Sequence, residues 1–271
     1  MTMPPASPDQ PSRADLATSV AAFALVTVAA AWGLNLVQQT WAEPLTAAGI
    51  RLSWLAPTLG AVAALPLRGT RLRIGRRFSW VVVGRALVAI GSIALCWMVL
   101  VQLYRADARP MPVVNFGQLP WPLTILGVAF GTLFTELGLR SVLHPTLRTR
   151  LPLLAAAGIT GLVTAAANPK IWTFAPVVLT LAIVHHLAYA ALAAVWIDRL
   201  KGGQLVVATS AGFVMNLQLV LILNEEAGVL YAWACLAAVW LLSAAGAWWL
   251  NRSHLWSRQQ AGTDRVASDV R

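Results

Sequence analysis

Charge is what this chain has least of. Only 11% of its 271 residues are Asp, Glu, Lys or Arg, whereas a soluble domain carries about a quarter. Lys170 and Lys201 are the only lysines, so arginine supplies nearly all the positive charge, and acidic residues number just ten. With 58% of residues hydrophobic and a mean hydropathy of +0.69, there is too little polar surface to wet a globule around one core. The solvent this composition suits is lipid. Cysteine is also scarce. Cys96 and Cys235 each sit inside an apolar run with no second Cys or His at ligand spacing, which leaves no basis for a disulfide framework or a zinc site. They read as small buried hydrophobes. There is no fixed-period repeat, no phosphate-binding glycine loop and no soluble second domain, and neither a metal nor a cofactor is implied.

A formal charge of +10 would suit a nucleic-acid binder. The distribution of the charge excludes that reading, because the arginines cluster in short segments between apolar runs, as in loops facing an anionic leaflet. A bilayer core about 30 Å thick needs about 20 helical residues, since lipid offers no partner to a free backbone amide. Eight runs meet or approach that length, over 17–37, 46–67, 79–103, 121–145, 151–167, 173–197, 204–223 and 228–250. The fold class expected is therefore all-α, a polytopic membrane bundle of about eight helices over 17–250. A polar, proline-rich segment at 1–16 and a polar tail at 251–271 are expected to be disordered. The first apolar run is long enough to span, so it reads as a helix and not as a cleaved signal; the tail shows no lipidation box.

Counting basic residues assigns sides. With the N-terminus inside, fourteen Arg and Lys fall in cytoplasmic segments, among them Arg68, Arg71, Arg73, Arg76 and Arg77, against Arg105, Arg109 and Lys170 outside. That bias places both termini in the cytoplasm and the chain in a bacterial-type inner (plasma) membrane, multi-pass. Trp41, Trp80, Trp121, Trp172, Trp248 and Trp249 stand at the edges of the runs, at headgroup level. Gly127 and Gly131, four residues apart, would let a neighbouring helix approach closely.

Ionisable residues inside the spans are the informative ones, because each costs several kcal/mol unless it is paired or faces a wet cavity. They include Arg51, Arg85, Glu136, Arg140, His185 and His186. Glu136 is the sole acid within the eight runs, and Arg140 follows it by four residues, on the same helical face. On spacing alone the pair is equally well read as a self-neutralising strut. His185 and His186 are adjacent and point about 100° apart, so no more than one faces a shared cavity.

Thr135-Glu136-Leu137-Gly138-Leu139-Arg140 resembles the Glu-Glu-x-x-x-Arg motif of the CPBP or Abi family, the membrane endopeptidases that include the CAAX prenyl proteases. Where that family has Phe-x-x-x-His at the end of the next helix, this chain has Thr164 to Asn168; where it has His-x-x-x-Asn in a late helix, this chain has Gly212 to Asn216. The likeness covers about 120–222. Glu136, Arg140 and Asn216 match, while Thr135, Asn168 and Gly212 replace a glutamate and two histidines. In the family the glutamate is thought to activate a water while histidine and asparagine orient it and steady the oxyanion. A chain with these replacements would keep the scaffold and lose most turnover, since each lost group costs about two to four orders of magnitude. The resemblance therefore implies an intramembrane endopeptidase homologue with an impaired or silent site. Such a protein would act by holding a membrane-anchored peptide or partner helix, with His185 or His186 as the possible replacement base. The competing readings are a small membrane transporter, with Glu136, Arg140 and His185 as a polar track, and an accessory subunit of a membrane complex.

Overall fold

A computed structural model of the chain describes residues 12–41, 45, 50–74, 79–109, 120–198, 200, 202–220 and 228–255, the last six by backbone alone. Among these it is all helix, with no strand. In chain order the helices are α1 (Arg13–Trp41), α2 (Ala56–Ala64, led in by a 3-10 turn over Leu52–Leu55), α3 (Trp80–Ala106), α4 (Trp121–Arg148), α5 (Leu153–Ala166), α6 (Pro176–Ile197), α7 (Gln204–Gln218) and α8 (Leu230–Leu255). Five of them, α1, α3, α4, α6 and the Leu230–Trp249 part of α8, are long and apolar enough to cross a bilayer. The chain is an integral membrane protein. Large apolar side chains such as Leu36, Leu87, Leu95, Phe130 and Leu242 are turned outward, where only lipid makes their exposure favourable.

Both polar ends are shorter than expected. α1 begins at Arg13 because Ser12 and Asp15 form a reciprocal cap, Asp15 N–H donating to Ser12 Oγ at 3.0 Å and Ser12 N–H to Asp15 Oδ2 at 3.0 Å. At the other end α8 runs through Asn251 to Leu255, with no Gly or Pro between Gly246 and Leu255 to stop it. Residues 1–11 and 256–271, the remainder of the two expected disordered segments, lie outside the described residues, as do 46–49 and 221–223 of the expected spans.

The helices pack as two large apolar clusters, with a small third one of Leu153, Ala157 and Ala194 between α5 and α6. One is formed by α3, α6, α7 and α8 around Ile93, Ala182, Val207 and Trp233; the other by α1, α2, α4 and α5 around Phe23, Ala61, Leu143 and Ala156. α6 lies between α5 and α8, and α7 between α3 and α4. The seam between α2 and α4 is built on glycine. At Gly127, Gly131 and Gly138 a Cβ would collide with Ile50, the Trp54 ring and the Pro57 carbonyl respectively. Two threonines close the same seam, Thr58 Oγ1 donating to Phe134 O at 2.6 Å and Thr135 Oγ1 to Trp54 O at 3.0 Å. Gln38, buried on α1, holds the entry to α2, accepting from Leu52 N–H at 2.6 Å and donating to Ile50 O at 2.6 Å.

α4 is not uniform. It is α-helical to Gly138, widens into a π turn over Leu139–Leu143, and resumes for His144–Arg148. Pro145 accounts for the break, since it has no N–H to return to the preceding turn. The Ser141 carbonyl, four residues before it, instead accepts from Arg73 N–H at 2.8 Å, and Arg71 N–H donates to Thr146 Oγ1 at 2.9 Å. The arginine-rich segment after α2 is thereby fastened to the end of α4.

Candidate functional site

Glu136 and Arg140 lie one turn apart on α4, the second inside the π turn. Both are buried, at 4% and 2% exposure, and Arg140 Nε donates to Glu136 Oε2 at 3.2 Å. In a bilayer interior a lone carboxylate would be expensive, and an i, i+4 guanidinium is the nearest available counter-charge. The pair faces a cavity of about 80 Å³ between α2, α4, α5, α6 and α7, several times the space one ordered water needs.

Thr135, Asn168, His186 and Asn216 line this cavity beside the pair. Asn168 sits in the turn after α5, at the N-cap of the 3-10 turn Pro169–Thr173. Asn216 donates from Nδ2 to Thr132 Oγ1 at 2.8 Å, and Thr132 in turn donates to Val128 O at 2.8 Å, so one donor of that amide is committed to tying α7 to α4. Gly212, one turn earlier on α7, is buried, and a Cβ there would lie 3.2 Å from Glu136 Oε1 and 3.4 Å from Tyr189 Oη. A side chain at 212 would point at the carboxylate; glycine leaves that place to the tyrosine hydroxyl.

The two histidines part company. His186 lines the cavity, with its Nε2 buried and unpartnered. His185 is fully buried on another face of α6, its ring edge-on to Trp233 at 5.6 Å and to Trp240 at 6.1 Å. It stands in an aromatic cage and not in the cavity. Arg85 is also elsewhere, exposed on α3 and directed at Val195 O at 3.5 Å, so it does not share Glu136.

Arg51, Trp54 and Tyr189 are among the cavity residues that the sequence reading of the site misses. In the sequence Arg51 stands only as one of the ionisable residues inside the spans. Tyr189 is 6% exposed with an unpartnered hydroxyl. It is one of only three tyrosines, lies mid-span and falls three residues after His186, a spacing that was available as a signal. Trp54 offered no signal, because what brings it in is the missing side chain of Gly131. Among the described residues no three His, Cys, Asp or Glu side chains come together as metal ligands.

No protein-family model matches the chain, and no curated protein matches it either.

Proposed function

We propose that this membrane protein is a CPBP-type intramembrane endopeptidase homologue with an impaired or silent site, which works by holding a membrane-anchored peptide or partner helix. The observation that supports the reading most is convergence. Thr135, Glu136, Arg140, Asn168 and Asn216, spread over 82 positions of sequence from Thr135 to Asn216, line one cavity, and Gly212 abuts the carboxylate. The resemblance was drawn from order and spacing alone and required such a meeting.

The same geometry speaks for weak chemistry. A general base needs a free lone pair and a water within reach, but one oxygen of Glu136 is held by Arg140. The position of the motif's first glutamate is a threonine, Thr135, whose hydroxyl is spent on Trp54 O. Asn168 and Gly212 cannot carry a proton. His186 is the one imidazole lining the cavity, and if turnover persists it is the residue to supply the base. In this reading all eight helices belong to the membrane domain, with both termini in the cytoplasm of a bacterial-type cell.

The test has two arms. Purified protein is assayed against membrane-anchored peptide reporters alongside Glu136→Gln and His186→Ala, and a photoreactive amino acid placed at Leu219, on the cavity wall, reports occupancy. Expected are cleavage no higher than in Glu136→Gln and a crosslink to the reporter peptide. Robust cleavage lost in Glu136→Gln would overturn silence, and absence of any crosslink would overturn peptide holding.

A further inference from the structure

Arg140 has a second face. Its Nε serves Glu136, while its Nη1 is buried without a hydrogen-bond partner. The guanidinium also borders a separate, smaller cavity of about 20 Å³ at the end of the bundle, where α4 and α6 finish and α7 begins. Arg73, Arg140, His144, Arg148, Asp198 and Gln204 surround it.

The construction is specific. Arg73 is brought in by the two backbone bonds that fasten its segment to Ser141 and Thr146. Arg148 is 6% exposed and donates from Nη1 to Leu151 O at 2.9 Å, with its Nη2 4.0 Å from Asp198 Oδ1. His144 is 4% exposed and its Nδ1 has no partner. Gly203, at φ 73°, turns the chain so that Gln204 opens α7 at the cavity wall. That side chain spends its Nε2 on Leu200 O.

Three guanidiniums therefore meet one carboxylate in a small space walled mostly by buried side chains. Glu136 answers Arg140 from the other cavity, yet the residues around the small pocket carry an excess of positive charge, and three of their buried polar atoms, Arg140 Nη1, His144 Nδ1 and Gln204 Oε1, have no partner. Groups of this kind in a low-dielectric site cost free energy unless something answers them. Guanidinium forks match the oxygens of a phosphate. The volume suits one compact oxyanion and not a chain.

We propose that this pocket is a binding site for a single phosphate group, carried either by an anionic phospholipid headgroup or by a small free phosphate. The inference does not depend on the peptide-holding reading, because the two cavities are distinct and Arg73, the residue varied below, lines only the small one.

The full-length protein, purified in mild detergent and stripped of lipid, is offered two probes. Inorganic phosphate is followed by ³¹P line broadening, and phosphatidylglycerol against phosphatidylcholine by native mass spectrometry. Saturable binding is expected for at least one of them, weakened about tenfold or more by Arg73→Gln and largely kept by Arg73→Lys. Arg148→Gln should act in the same direction; should it fail to fold, the half-buried Arg73 on its loop still decides the question. Selective retention of phosphatidylglycerol identifies the headgroup as the source, and binding of inorganic phosphate without lipid retention identifies a free anion. Equal binding by wild type and Arg73→Gln, or no saturable binding of either probe, overturns the proposal.

Discussion

Two cavities share one arginine and treat it in opposite ways. In the larger one Arg140 has a carboxylate, Asn216 has Thr132 and Thr135 has Trp54, and the buried atoms left unanswered, His186 Nε2 and Tyr189 Oη, belong to an imidazole and a phenol and not to a guanidinium. In the smaller one Arg140 Nη1 and His144 Nδ1 are unanswered amid further guanidiniums. Buried polar groups are nearly always satisfied. A cavity whose charge is paired is consistent with scaffold and shape, and one where a guanidinium nitrogen is left unanswered with an absent anion.

The contrast is broken most severely at Glu136. Glu136→Gln should remove the answering charge, leave Arg140 uncompensated and cost about 3–5 kcal/mol of stability. Reversible unfolding in mixed micelles would measure this, and Glu136→Gln combined with Arg140→Met should recover much of the loss. A double variant no more stable than the single one would show that the pair is not what neutralises the arginine.

Gly138→Ala should come next, at about 1–3 kcal/mol or more, because its methyl would strike the Pro57 carbonyl and push α2 from α4. Gly33→Ala, with nothing near its Cβ position, is the control and should change the same unfolding measurement by no more than about 0.5 kcal/mol. Equal effects would deny that the seam is tightly closed.

Thr132→Val should cost about 1 kcal/mol and free the Asn216 amide. Peptide crosslinking at the large cavity should change while phosphate-probe binding at the small one stays the same; a change in both would mean the cavities are coupled through α4. A modest stability effect, within about 1.5 kcal/mol, is expected for His185→Phe, since the imidazole already sits among Trp233 and Trp240 with both nitrogens unpartnered. His186→Phe should instead fill cavity space and lower peptide crosslinking. If the two variants behave alike, the division of the histidines between cage and cavity is wrong.

Much of the scaffold was legible beforehand. Hydropathy located the helices to within a few residues at most described ends, because a backbone in lipid must satisfy itself along an unbroken apolar run. The Gly127–Gly131 spacing marked a close approach, which is the α2–α4 seam. The Glu136–Arg140 pair followed from helical spacing, and the divergence of His185 and His186 from the angle between adjacent residues. Other features were hidden. The π turn answers to a tertiary bond between Arg73 and Ser141 as much as to Pro145. Arg73, His144 and Gln204 carry no mutual spacing, so their meeting at one pocket left no pattern to read.

By itself, then, the sequence determined the solvent, the helical class and which few side chains had to be reconciled with lipid, because those follow from local composition and the periodicity of one helix. Tertiary structure decided which of those side chains share a cavity and which are left unanswered, because that depends on how close glycine allows helices to come and on where a proline releases a carbonyl to a distant strand of chain.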